Sequence, residues 1–372
     1  MRFFLKASIL IAMDETFKNI LWNIEDALHE ALPSQTNETW QKNSFSDLSR
    51  CITNGHLENL IAPCRNLVDL GGKRWRPLLL VLCYRLAKEA GFNPILAEED
   101  VYKLTPLVEF VHTASLIHDD IEDSADTRRG KPAAHIQYGL DVALNAGSWL
   151  YFEAPVCLES LNIDEALKNR LYRMYTLLLR RLHLGQAMDI KWHSNTELFP
   201  TPAEYTQMVH LKTGTLSSLA VQTGLLAGGV TPEEAESVGK IAESLGEGFQ
   251  ILDDVTNLTT GNPGKKRGDD IVEGKKSLPV LMHIIERPKD AVKISYYFEK
   301  ANMEGPGSTA IEKCISLLET SGSIEKARAK GEKCIKDNID ILCQFHGLTE
   351  ENETSSLIKK LFMEMLNGGK KS

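Results

Sequence analysis

One stretch constrains this chain more than any other: Ala114-Ser115-Leu116-Ile117-His118-Asp119-Asp120-Ile121-Glu122-Asp123. Upstream of it, Val101, Leu104, Val108, Val111 and Ser115 recur at steps of three and four. That spacing belongs to a helix with one buried stripe. Carried forward, the stripe reaches Asp119 and then Asp123, one turn apart on the same face. Acids crowded at the end of an oily face repel each other, and one takes up a proton unless a cation is supplied. Hard divalent cations suit all-oxygen carboxylate sites, Mg²⁺ among them. A solvated acidic helix end is the alternative. A second acidic cluster, with basic residues flanking both, favours metal.

That cluster is Phe249-Gln250-Ile251-Leu252-Asp253-Asp254-Val255-Thr256-Asn257, at the end of a stripe through Ile241, Leu245 and Phe249. Gln250, Asp253, Asp254 and Asn257 share one helical face. Two helices that are apolar below and acidic above suit a pocket with an oily floor and a metal-charged mouth. Its natural occupant is an amphiphile, with a hydrocarbon tail and a polyanionic head bridged to carboxylates through Mg²⁺.

The basic residues supply further anion contacts. Gly71-Gly72 breaks a helix, Lys73 opens the next, and Lys73 and Arg76 one turn apart suit an anion clamp, with a basic surface turn as the alternative. Arg128 and Arg129 follow the first acidic motif, and paired arginines suit diphosphate oxygens. Lys212-Thr213-Gly214 interrupts a helix, with a simple glycine kink as the alternative. Thr260 through Asp270 forms a Gly- and Lys-rich loop, a natural lid, whose lysines, Lys265 among them, are equally explained as surface charge. His112 alone is more simply a packed helix histidine.

The chain has 372 residues, enough for a large core, and 42% hydrophobic with 25% charged content is that of a globular protein. A net charge of -9 speaks against general nucleic-acid binding. It leaves a phosphorylated substrate open, because local bases and metal ions set the field in a pocket. Seven scattered cysteines without metal-like spacing point to free thiols in a reducing, cytoplasmic setting. No apolar run is long enough to span a bilayer. Met1 to Ala12 is apolar but lacks a small-x-small cleavage site, and Met13 is a plausible alternative start before an amphipathic helix through Phe17, Ile20, Leu21, Ile24 and Leu28. Residues 33 to 47 read as a loop. Thr201-Pro202-Ala203-Glu204 is a capping box. The tail from Ile311 is helical scaffold. No β pattern, repeat or dinucleotide fingerprint is present.

In these motifs the chain resembles the trans-polyprenyl diphosphate synthases, most of all the geranylgeranyl type. The aspartate-rich motifs are Asp119-Asp120-Ile121-Glu122-Asp123 and Asp253-Asp254-Val255-Thr256-Asn257. Gly71 to Pro77, Lys212-Thr213-Gly214 and Glu273-Gly274-Lys275-Lys276-Ser277-Leu278-Pro279 complete the ordered set, which covers roughly residues 60 to 345. Asn257 stands where many members carry Asp, a mark of subtype. The resemblance implies an all-α fold, one large helical bundle around a deep central cavity, in a homodimer. Residues 1–56 form an N-terminal extension and 57–372 the synthase domain.

The implied activity is head-to-tail condensation of isopentenyl diphosphate with an allylic diphosphate (dimethylallyl, geranyl or farnesyl). Asp119, Asp123 and Asp253 carry Mg²⁺, three ions per site, and Asp120, Asp254 and Lys212 complete the catalytic set. Lys73, Arg76, His112 and Arg129 bind isopentenyl diphosphate. Arg128, Lys212, Thr213, Gln250, Asn257, Lys265 and Lys275 serve the allylic diphosphate. Small residues at Ala114 and Ser115, with a floor at Tyr151, Phe152 and His183, imply a twenty-carbon product; core packing is the other explanation for Tyr151 and Phe152. Longer-chain or farnesyl synthases and a non-catalytic partner subunit are the alternatives. A terpene cyclase or head-to-head synthase needs no segment like Gly71 to Pro77.

Overall fold

The computed structural model describes residues 15–261, 266–349 and 351–368. Met1–Ala12, the alternative start at Met13, and Lys265 lie outside the described residues. The fold is all-α, and no helix among the described residues is long and apolar enough to cross a membrane. The chain forms two compact units: Met1–Thr176 with Leu219–Ala235, and Leu177–Ser218 with Glu236–Ser372.

The first unit contains α1 (Glu15–Ala31), α2 (Glu38–Phe45), α3 (Asn54–Asp69), α4 (Trp75–Glu89), α5 (Pro106–Glu122) and α6 (Leu140–Glu153). Helix α7 (Glu165–His193) begins here and ends in the second unit, and α9 (Thr215–Ala227) does the reverse. α5 packs along α6 and against α3. The stripe read from the sequence is buried as expected at Val101, Leu104, Val108 and Val111. It is not one helix, however. Val101 and Leu104 lie on short turns, and α5 starts afresh at Pro106, whose fixed φ suits the first helical position.

Two local expectations change. Residues 33 to 47 are not all loop, because α2 forms there. Asn37 caps it by accepting from the Trp40 backbone N–H at 2.8 Å. Trp40 and Phe45 then pack on Trp149 of α6, with ring centroids 6.4 and 6.2 Å apart. Long-range aromatic burial overrides the polar composition. The second change is a two-stranded hairpin, β1 (Thr127–Arg128) and β2 (Lys131–Pro132). Arg129 and Gly130 both have positive φ (53° and 77°), which matches the tight two-residue turn of a twisted hairpin. Strands of two residues are too short to show an alternating pattern in the sequence.

The second unit holds α8 (Pro202–Val209), α10 (Pro232–Thr259, whose first turn falls in the first unit), α11 (Leu278–Glu286), α12 (Ala291–Glu304), α13 (Thr309–Ser321), α14 (Ser323–Cys343) and α15 (Glu353–Gly368). α8 starts with the expected capping box. Its core gathers Trp192, Tyr205, Ile251, Val255, Ile294 and Phe298.

Candidate active site

The first aspartate motif ends α5, and its acids divide by environment. Asp119 and Asp123 are half-buried, within reach of solvent. Asp120 is 1% exposed and turned into the protein, where Arg128 Nε donates to its Oδ1 at 2.8 Å and Arg128 Nη2 shares the same oxygen. Burial raises the Asp120 carboxyl above its ordinary range, and the Arg128 guanidinium opposes that rise. Asp120 thus aims Arg128, while Asp119 and Asp123 form the outward row.

Four arginines surround His112 in the same unit. Burial pushes its imidazole well below the usual value, and the fields of Arg76, Arg129, Arg74 and Arg128 push it further. His112 is therefore neutral, in a field that favours anions. Arg76 lies over the Trp75 ring, 4.3 Å from its centroid, and its Nε is buried without a hydrogen-bond partner. Burial lowers the Arg76 guanidinium to about 10. Arg129 donates to the carbonyls of Gly71 and Leu67. Lys73 is exposed and sits in the linker, because α4 begins only at Trp75. The expected clamp is a loop residue and a helix residue, not two positions of one helix.

In the second unit the second motif divides in the same way. Asp253 is exposed. Asp254 is 6% exposed and accepts from Tyr205 Oη at 2.7 Å, Gln250 Nε2 at 3.0 Å and the Leu278 backbone N–H at 3.3 Å. Burial still lifts its carboxyl to about 6. Asn257 is wholly buried rather than beside Asp253 at a mouth. Its side-chain oxygen accepts from the Asp270 N–H at 3.2 Å, and its carbonyl accepts from the Gly268 N–H at 2.9 Å. The returning segment covers it, which helical spacing alone does not reveal.

Lys212 lies on a π turn, His210–Gly214. Gly185 of α7 permits this: a side-chain carbon there would sit 2.4 Å from the Lys212 backbone nitrogen. One turn further along α7, Asp189 accepts from Lys212 Nζ at 2.7 Å. Burial acts to raise the Asp189 carboxyl, but the ammonium groups of Lys212 and Lys275 outweigh it and hold the group below its usual range. Thr213 Oγ1 donates to Gln250 Oε1 at 3.0 Å, so the π turn and the second motif are joined. Lys275 pairs with Glu273 at 2.5 Å. Its neighbour Lys276 is buried between Phe199 and Phe298, 5.3 and 4.7 Å from the ring centroids, and donates to the Gly274 carbonyl. Burial lowers its ammonium to about 8.

Of the chain-length positions, Ala114 is fully buried, and the hydroxyl of half-buried Ser115 donates to the His112 carbonyl at 2.8 Å. Tyr151 is 6% exposed, with its ring 5.5 Å from that of His118. Burial raises its phenol, as do the charges of Asp119 and Glu122. Phe152, about 100° further round the helix, is 77% exposed. His183 is exposed, bonded to the Leu179 carbonyl.

Sequence reasoning did not single out Arg74, Asp189, Tyr205 or Lys276. Asp189 and Lys212 are far apart in the chain, and only the close approach at Gly185 brings them together. Among the described residues, no three His, Cys, Asp or Glu side chains converge on a ready-made metal nest. The donor set still fits Mg²⁺, which keeps several waters and takes only one or two carboxylates beside substrate phosphates.

A family model for polyprenyl synthetase matches residues 57–315. The geranylgeranyl diphosphate synthase of Methanosarcina mazei is 32% identical over 77% of this chain and 84% of its own length. The geranylfarnesyl diphosphate synthase of Natronomonas pharaonis is 30% identical over 82% and 88%. In fold, the crystal structure of geranylgeranyl pyrophosphate synthetase from Pyrococcus horikoshii aligns over 95% of this chain and 99% of that one, with a TM-score of 0.75 at 24% identity. With both aspartate motifs, the Lys212 turn and the Gly71–Pro77 segment inside the matched span, the chain belongs to the polyprenyl synthetase family.

Proposed function

We propose that the protein is a Mg²⁺-dependent prenyltransferase. It condenses isopentenyl diphosphate with an allylic diphosphate to give a trans-polyprenyl diphosphate of twenty carbons. The observation that carries this is the shared division of the two motifs. In each, the second aspartate is buried and braced by named hydrogen bonds, and the first keeps contact with solvent, where a ligand can reach it. Asp119, Asp123 and Asp253 are the metal ligands for three ions. When bound, Mg²⁺ neutralises the diphosphate and makes it a leaving group.

The chain's own residues do the rest. Arg128, Lys212 and Lys275 receive the developing charge of the departing diphosphate, with Asp120, Asp189 and Glu273 aiming them. Lys73, Arg76 and Arg129 hold isopentenyl diphosphate, and His112 stands by as a neutral hydrogen-bonding partner. Thr213 and Gln250 orient the π turn. No side-chain nucleophile is required.

The twenty-carbon product is supported by the relatives of that name and by the small residues at Ala114 and Ser115. Residues 57–372 act as the catalytic body in a homodimer, and the seven free cysteines fit a reducing cytoplasm. The test is incubation with isopentenyl diphosphate and each allylic primer, with product mass as the readout. A twenty-carbon product is expected, shortened to fifteen carbons by Ala114→Phe. No turnover with any primer, with and without Mg²⁺, sinks the reading. A parent product of another length overturns the chain-length assignment alone.

A further inference from the structure

The loop between α3 and α4 carries Gly71, Gly72 and Lys73, and it is pinned at both ends to α1. That helix lies outside the span matched by the family. At the downstream end, Arg74 is 3% exposed and adopts a left-handed backbone (φ 47°), costly for a residue with a side chain. Its guanidinium reaches Glu25 through both Nε to Oε1 at 2.7 Å and Nη2 to Oε2 at 3.2 Å, a two-point grip. It also donates to Glu109 Oε1 at 2.6 Å and to the Val68 carbonyl at 2.6 Å. Glu109 stands one turn before His112 on α5. At the upstream end, His29 of α1 lies 3.2 Å from Asp69, the last residue of α3. Arg65 joins the same carboxylate at 2.8 Å and also caps the Leu32 carbonyl just past α1.

The loop so held is lined by groups that suit an anion. Arg129 bonds its Gly71 carbonyl, and the Arg129 guanidinium lies 3.0 Å from where a side-chain carbon on Gly72 would sit. Two residues beyond Arg74, the Arg76 Nε is buried and unpartnered. A buried donor without an acceptor is costly unless an acceptor arrives, and a diphosphate oxygen is one.

We propose that Glu25 is a positioning residue for isopentenyl diphosphate. Through Arg74 it fixes the left-handed turn that sets Lys73 and Arg76 around the diphosphate, although it touches no substrate itself. Loss of the Glu25 carboxylate leaves Arg74 buried with Glu109 and the Val68 carbonyl, without its two-point grip on α1, and the turn relaxes. This rests on the prenyltransferase reading. The experiment compares full-length parent, Glu25→Ala, Glu25→Gln and the control Asp26→Asn, an exposed acid next in the chain. KM for each substrate and kcat are measured, with calorimetric binding of inorganic pyrophosphate in parallel.

Glu25→Ala should raise KM for isopentenyl diphosphate about tenfold, with KM for the allylic substrate and kcat within about twofold, the split expected of a misplaced ground-state contact. Glu25→Gln, which keeps shape and one acceptor and so guards against a failure to fold, should fall between, and Asp26→Asn should match the parent. Unchanged KM for isopentenyl diphosphate alongside a lowered melting temperature overturns the proposal in favour of a purely structural brace. So does an equal rise in both KM values. If the parent shows no turnover, the prenyltransferase reading fails. Weaker pyrophosphate binding in Glu25→Ala would then still support the positioning role, and unchanged binding would overturn it.

Discussion

Asp119 and Asp120 are adjacent carboxylates with opposite duties, and burial separates them. Asp120 and Asp254 are buried and hydrogen-bonded, so truncation strands Arg128 in one case and Tyr205, Gln250 and the Leu278 N–H in the other. Asp254→Ala should therefore cost about 3 kcal/mol of folding stability, read as a lowered urea midpoint. Asp119→Ala and Asp253→Ala should leave that midpoint near the parent value and cut kcat by about a thousandfold or more. Near-native turnover in either variant removes it from the metal set. Asn257 follows the buried pattern. Asn257→Ala orphans the Asp270 N–H and should destabilise by about 1–3 kcal/mol. Its activity loss should be far smaller than that of Asp253→Ala, and equal losses would refute this ranking. The motifs themselves were legible in the sequence, because carboxylates at helical spacing after an apolar stripe admit few explanations. Which acid faces inward was not, since that depends on Tyr205 and Leu278, which reach Asp254 from other parts of the chain.

At the scale of an element, α2 shows how a segment with weak helical pattern acquires a place. Phe45 stacks on Trp149, Trp40 meets the same ring edge-on, and Ser44 Oγ donates to Glu153 of α6 at 2.6 Å. Glu153 is 4% exposed, and burial pushes its carboxyl from about 4.5 to about 7 against that hydrogen bond. The folded state therefore binds this proton more tightly than the unfolded chain. Its contribution to stability is fully present below about pH 4.5 and is lost as pH rises through about 7. The size is on the order of 3 kcal/mol. Urea midpoints from pH 5 to pH 8 should fall in the parent, and Glu153→Gln should flatten that fall. The same slope in both proteins would place the titrating group elsewhere. None of this was legible in residues 33 to 47, where polar composition concealed two aromatics 109 or fewer positions from their partners on α6.

At the scale of the whole molecule, α6 connects the interior to the outside. Tyr151 is buried on one side of it, against His118. Along the same helix Leu140, Leu144 and Phe152 are 53%, 50% and 77% exposed. In projection Leu140 and Leu144 lie on either side of Tyr151 at other levels of the helix, and Phe152 stands about 100° round from it. Large exposed apolar residues along one helix mark an interaction surface, and a second copy of this chain is the occupant that the homodimer reading supplies. A two-fold contact along α6 would place Phe152 under protein and stiffen the helix that carries Tyr151, so assembly and product length would be linked. Leu144→Glu combined with Phe152→Glu desolvates two carboxylates at such a contact. Sedimentation should find the parent as a dimer and the double variant as a monomer, with product mass more heterogeneous in the monomer. A parent that sediments as a monomer rejects the homodimer. A double variant that stays dimeric moves the contact off α6, and with it the explanation for the exposure of Phe152.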